Sequence, residues 1–460
     1  MINKRKILGV VVTLSLLASF VVAAVPASAG TLGWTTFTPP STSNNVLTTD
    51  VITDIAVAGD GKTIFAGTGG LTLYKSTDKG VGWSKIMTSS TSNNGTSDFV
   101  AVAPDDSNYI VIADATSGNI TVTTNGGTTW YRLGPPETSA TIKGLDFSPA
   151  LSGVHYIGVV GAVGAAAGVW YFDVGAAAPT WKAITGGIYT GFTTGTSAGA
   201  VAFSPAFASD QVMATVTDNG TILLQLFSFN SKKWNGDAGF SGYPGTIVAT
   251  GGPGITAASI TLDPGYLGSD DSTRLAFIGL TVTGDPDKNG IWRMSDTTAK
   301  DLKIGAAVQM QSVAWNGSVL VGGRYDSNII YYSSDATASS PTVSTTTSYK
   351  RPGLDTTGNE KTVVAWAGAD VVAGVQNANG AFAVSRNNAK SFNDISLINT
   401  TLTSMRDVGI SADGAKVFLV TDDGTYTSVW RKTTAWERVF TVADIGPTGA
   451  LGYFIRLAPD

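Results

Sequence analysis

The sequence predicts an all-β chain folded as a single β-propeller of four-stranded blades, with about eight repeats, or seven. Three observations lead there. Apolar and polar residues alternate over short runs, and turn residues recur about every 8–12 positions, which is the signature of strands. The strand groups themselves recur with a period of about 40–50 residues. The acidic side chains are lopsided, with 31 Asp against Glu137, Glu360 and Glu437 as the only Glu. Asp suits turns and strand ends, whereas Glu suits helices.

The period is visible where each first strand ends: Val57-Ala58-Gly59-Asp60, Val102-Ala103-Pro104-Asp105, Phe147-Ser148-Pro149 and Phe203-Ser204-Pro205. Leu262-Asp263-Pro264, Trp315-Asn316-Gly317, Ala367-Gly368-Ala369-Asp370 and Ser411-Ala412-Asp413-Gly414 continue it. The repeats begin near 53, 97, 141, 198, 257, 308, 360 and 402. A β-helix or tandem sandwiches are the competing architectures, and irregular spacing counts against the β-helix. One closed ring also explains why 460 residues need not split into three domains. Trp34–Phe37 reads as a last strand without partners, and Phe454–Asp460 as a first strand that stops at its turn. Either these strands staple the ring shut or part of a further repeat is missing.

Residues 1–29 read as a secretory signal peptide, followed by a propeller domain over 30–460. Lys4, Arg5 and Lys6 precede an apolar run from Ile7 to Val25, and Ala27-Ser28-Ala29 supplies a small-x-small cleavage site. Cleavage leaves 26 cationic against 34 acidic residues, a net charge of −8. The expected location is therefore secreted or at the cell envelope, with no membrane span in the mature chain. An acidic chain with 14% charged residues is not expected to bind nucleic acid. The absence of Cys excludes disulfides, thiolate metal sites and cysteine nucleophiles.

The turn between third and fourth strands has the form S/T-x-D/N-x-G-x-T-W. Ser76-Thr77-Asp78-Lys79-Gly80-Val81-Gly82-Trp83 fits except at Gly82, and Thr123-Thr124-Asn125-Gly126-Gly127-Thr128-Thr129-Trp130 fits closely. Ser385-Arg386-Asn387-Asn388-Ala389-Lys390-Ser391-Phe392 is a weaker copy, and Ser334-Asp335 a relic of another. These turns resemble the Asp-box, or BNR repeat, of β-propellers found in sialidases, some endoglucanases and sortilin-like receptors. The resemblance implies the fold, and places the boxes on the face opposite the usual ligand site. Asp or Asn would accept turn N–H groups, Gly would supply positive φ, and Trp would cover the hairpin.

Catalytic kits are scarce. Sialidases use an arginine triad, an Arg-x-Pro motif and a Tyr–Glu pair, but no Arg occurs between Arg5 and Arg132, and Arg351-Pro352 lacks the spacer. Asp-box endoglucanases use Asp pairs, and here no Asp matches a motif that could be carried over. His155, the sole histidine, sits in a predicted second strand without a Gly-x-Ser-x-Gly partner, and reads as structural. No phosphate-binding loop is present. Five N-x-S/T sequons, at Asn94, Asn119, Asn219, Asn316 and Asn399, are about what chance supplies.

One turn matches the front of a calcium loop. Asp285, Asp287 and Asn289 precede Gly290 as D-x-D-x-N-G, and Asp296 falls at the twelfth position. The same residues suit an ordinary Asx-rich turn. Calcium is the one cofactor the sequence suggests, bound by Asp285, Asp287, Asn289 and Asp296.

Functionally, the exported, acidic, Ala/Gly/Thr/Val/Ser-rich composition resembles that of bacterial surface-layer proteins. It points to a structural or interaction protein whose partners are other proteins or copies of itself. The alternative is a carbohydrate-active propeller, a glycoside hydrolase or glycan binder, with Tyr243, Tyr266 and Tyr325 as candidate sugar-stacking aromatics at the ring entrance.

Overall fold

A computed structural model describes residues 38–41, 46–47, 50–87, 96–249, 254–347, 350–354, 358, 360–443 and 454–457. The expected signal peptide, the Trp34–Phe37 strand and the sequon at Asn94 lie outside these residues.

Each repeat folds into an antiparallel sheet whose strands follow chain order. Blades 1 to 7 span 54–87, 99–134, 140–183, 197–248, 255–301, 310–345 and 361–396. Blade 4 adds a fifth strand, Gly245–Val248, beside its third, Ile222–Ser228. The first strands lie innermost and pack on one another around the ring, that of blade 7 against that of blade 1. Seven apolar cores fill the spaces between adjacent blades. Central strands such as Ile64–Gly67 and Ile110–Ala113 are buried throughout, so both their faces contribute.

The propeller class is thus as expected, but the count of about eight blades is off. Among the described residues the ring takes seven, and the repeat near 402 folds outside it. Its strands, Ser404–Ile410, Val417–Asp422, Tyr426–Lys432 and Trp436–Ala443, form a sheet of the same design. This appended sheet joins blade 7 by its last strand, which meets blade 7's last strand, Asn393–Ser396, at Asp394 and Arg438. Leu419, Trp430 and Trp436 then pack on Val46, Ala381 and Ile398. Val46–Leu47 is held there by parallel pairing with Ile398–Asn399. Arg438 is fully buried and donates through Nε to Asp394 Oδ2 at 2.8 Å and through Nη2 to the Asn379 carbonyl at 3.0 Å.

No room is left for an eighth blade because blades 7 and 1 pack face to face. Trp83 Nε1 of blade 1 donates to Ser396 Oγ of blade 7 at 2.7 Å, and its ring meets Phe382 edge-on at 5.0 Å. Lys79 pairs with Asp370 at 2.9 Å. Gly80, at φ +87°, lies against the Phe382 ring, where any Cβ would clash. Phe454–Leu457, the described part of the Phe454–Asp460 run read as a first strand, lies on the appended sheet rather than in the ring, where the Ile455 N–H donates to Asp407 Oδ2 at 2.8 Å.

Two substitutions should separate these seams. Phe382→Ala removes a fully buried ring at the closure and should destabilise the propeller by about 3–5 kcal/mol in denaturant unfolding. Arg438→Ala strands Asp394 without its cation and should release the appended sheet, seen as protease cleavage near 400–443 at an unchanged main transition.

Candidate functional site

The inner strands enclose a cavity of about 530 Å³ on the ring axis. Its lining includes Asp54, Lys143, Asp146, Gln311, Tyr325 and Lys361. Lys143 reaches from blade 3 across blade 4 to blade 5, donating to Ser197 Oγ at 3.2 Å and the Ile255 carbonyl at 2.7 Å. Burial lowers its pKa, against the opposing pull of Asp218. Lys361 Nζ lies 4.9 Å from the Tyr325 ring centre, a cation–π contact at the cavity wall.

The carboxylates of this cavity are tied to the backbone. Asp54 accepts from its neighbour Ile55 N–H and from Val100 N–H of the next blade, both at 2.9 Å. Asp146 repeats the arrangement with Phe147 and Phe203, both at 2.8 Å. Ser259 and Ser312 make hydroxyl versions, accepting from Val313 and Val364 N–H groups of their next blades. This inter-blade clasp occupies both oxygens of each Asp. Burial pushes Asp54 up to about 7 and Asp146 to about 6, even though the two N–H donors favour ionisation. Both residues keep some surface toward the cavity, but the mass of the ring surrounds their carboxyls. A glycosidase acid must offer its proton to the substrate, and these oxygens face amide donors instead.

Other expected residues fall elsewhere. Tyr243 and Tyr266 are buried in the core between blades 4 and 5, so only Tyr325 of the three aromatics faces the cavity. His155 opens the second strand of blade 3, 5% exposed, stacked on Tyr109 and bonded through Nε2 to Asp105 at 3.0 Å. That is a packing role. Burial would raise the Asp105 carboxyl, but the Ala150 N–H and His155 outweigh it and hold the pKa low.

The proposed calcium ligands are not brought together. Asp285, Asp287 and Asn289 share one turn built on a 3₁₀ segment, Pro286–Lys288. Asp296 lies beyond the far end of the strand Gly290–Ser295, about 20 Å away at roughly 3.3 Å per residue. There it pairs with Arg274 at 2.9 Å, while Asn289 Oδ1 accepts from the Val282 N–H at 2.7 Å. A continuing strand replaces the wrapping loop, and among the described residues no cluster of three or more acidic or His side chains could hold a metal.

The S/T-x-D/N turns share one hydrogen-bond set. Asp78 Oδ1 accepts from Ser76 Oγ and the Gly82 N–H, and Ser76 Oγ accepts from the Gly80 N–H. Asn125 with Thr123, and Asn387 with Ser385, repeat it. In blade 6 the pair is Ser333 with Asp335. The Trp does more than cover its hairpin, since it reaches the preceding blade: Trp83 to Ser396 and Trp130 Nε1 to the Ile86 carbonyl.

The residues missed by sequence reasoning are the clasps. Their signal was an Asp followed by an apolar residue within the first strand, in Asp54-Ile55, Asp146-Phe147 and Asp407-Val408.

Together the fold and cavity define a seven-bladed β-propeller whose axial channel is lined by lysines and clasped carboxyls. No family model matches the chain, and no curated protein matches it. Among solved structures it is similar to the WD40 repeats of RRP9, at 12% identity and a TM-score of 0.49, over 73% of this chain and 92% of that one. It is similar also to a GH74 enzyme of Niastella koreensis, at 16% identity and a TM-score of 0.44, over 87% of this chain. The match covers 60% of that enzyme's length. A third similar structure is YCF48 bound to D1 peptide, at 12% identity and a TM-score of 0.42, over 72% of this chain and 92% of that one. No helix among the described residues is long and apolar enough to cross a membrane.

The raised carboxyls make a sign-definite pH prediction. Between about pH 4 and 7 the folded state holds protons that the unfolded chain has released, so stability falls as pH rises through that window. Melting temperature should climb on acidification from pH 8 to 5, and Asp54→Asn with Asp146→Asn should abolish that climb. A climb that survives the double substitution assigns it to other groups. Millimolar Ca²⁺ should leave the melting temperature unmoved, and a rise that Asp287→Ala removes would restore the calcium site.

Proposed function

We propose that the chain is exported and serves as a structural and interaction scaffold of the cell envelope, packing against copies of itself as surface-layer proteins do. The observation that carries this reading is the use of the channel carboxyls. Asp54 and Asp146 are consumed in holding blades together, which favours a scaffold over a hydrolase. The export features of residues 1–29 and the low charge of the chain support the location and the association. We infer too that the turn shared by the blades is an Asp-box, since four turns use the Ser/Thr–Asp/Asn pairing.

A second reading keeps a glycan in the channel. Tyr325 with Lys361 at the cavity wall is the observation that favours it, because an aromatic face beside a cation suits a polar ring.

Electron microscopy of the purified protein and of cell envelopes should show sheets or lattices. Incubation with labelled β-glucans should yield no cleavage. A glycan array that lights up and loses its signal in Tyr325→Ala would move the assignment to the second reading, and hydrolysis would overturn the first.

A further inference from the structure

The appended sheet is attached back to front. In the ring, each first strand is sheltered at the channel. Because the appended sheet meets blade 7 through its last strand, its first strand becomes the far edge of an eight-stranded sheet. Among the described residues no strand pairs with that edge. An unpaired edge strand offers a row of backbone donors and acceptors to another chain.

The side chains of this edge match its position. Met405, Val408 and Ile410 are 57%, 55% and 61% exposed. Their cross-strand partners, Thr421, Leu419 and Val417, alternate along one strand, so all three point to one face. The other face carries Asp407, whose Oδ1 accepts from the Val408 N–H and Oδ2 from the Ile455 N–H. That is the same clasp that ties ring blades together, here closed on Phe454–Leu457, with Arg456 Nη1 2.9 Å from Asp407. One face is therefore closed on Phe454–Leu457, while on the other Leu419, Trp430 and Trp436 are covered by Val46, Ala381 and Ile398 and the edge strand alone is left apolar and open.

We propose that the occupant is a second copy of this chain, which lays its own Ser404–Ile410 edge antiparallel to this one about a twofold axis. This rests on the self-association proposed above and identifies its surface. The outer strands of the ring blades are also edges, but among the described residues they expose only Tyr131 of the large apolar side chains, whereas this edge exposes three. The surface that matches it in kind is therefore the appended sheet of another copy, an isologous contact. Electrostatics permits it. Residues 404–443 carry five cationic and five acidic side chains, no net charge, on a chain of net charge −5. Two copies meeting here avoid the repulsion that acts between their acidic bulks.

The absence of cysteine makes the test clean. Val408→Cys, oxidised at micromolar concentration, should run as a disulfide-linked dimer, whereas Ile188→Cys, more exposed still but on the ring, should stay monomeric. Sedimentation of the unmodified chain should show twice the monomer mass, and Val408→Lys with Ile410→Lys should return it to monomer at an unchanged melting temperature. Association that survives the double substitution overturns this surface and leaves the scaffold reading standing. A chain that is monomeric at all concentrations overturns both. Dimers that Val408→Lys with Ile410→Lys disrupts, without lattices in microscopy, uphold the edge and overturn the surface-layer role.

Discussion

A strand such as Ile110–Ala113, buried at every residue, leaves its sheet no face to turn to water. A sheet of that kind needs a neighbour on each side, and a row of them has exposed ends unless it closes. The seven cores between blades are the consequence, and the rest of the molecule follows from closing that ring. Aromatic residues late in each repeat serve it directly. Trp83, Trp130 and Trp234 each direct an indole N–H to an acceptor on the preceding blade. Each such bond fixes the rotation of one sheet on the next, where apolar packing alone tolerates sliding.

The same demand reaches the channel. Inner strands converge at the axis, where unpaired amides would otherwise be buried, and the clasps supply acceptors for them. Using a carboxylate there has a chemical cost, because burial disfavours its charge, and the raised pKa of Asp54 and Asp146 expresses that conflict. Perturbed carboxyls in a cavity ordinarily suggest catalysis. Here burial between blades is the cause of the perturbation and both oxygens are engaged by amides, so the lysines and Tyr325 remain as the groups able to meet a ligand.

Much of this was readable in the sequence because the repeat imposes local rules. Turn chemistry marked strand ends, and the Ser/Thr–Asp/Asn pairs identified the third hairpin, down to Ala389 holding φ +63° where other copies use Gly. What could not be read was long-range. Asp285, Asp287, Asn289 and Asp296 look equivalent in spacing, but Arg274, 22 residues before Asp296, claims it across the sheet. Tyr243, Tyr266 and Tyr325 look alike in composition, and only their place relative to the axis separates core from channel. Blade number was hidden for the same reason, since a repeat carries no mark of the ring it belongs to.

The eighth repeat shows what decides membership. Its strands, turns and Asp407 clasp are those of a ring blade, so local sequence does not exclude it. Exclusion comes from the seam: Phe382 and Ser396 of blade 7 are already engaged by Trp83 of blade 1, which removes the face an eighth blade would need. The remaining contact on blade 7 is its outer edge, where Asp394 receives Arg438 and the Val46–Leu47 strap receives Trp430 and Trp436. Joining there reverses the sheet relative to the axis and carries its first strand away from any channel. Apolar side chains that a ring blade packs against its neighbour, as Ile55 and Phe147 are packed, are at Met405, Val408 and Ile410 thereby delivered to the surface. Their exposure is the direct consequence of a ring that closes one repeat early.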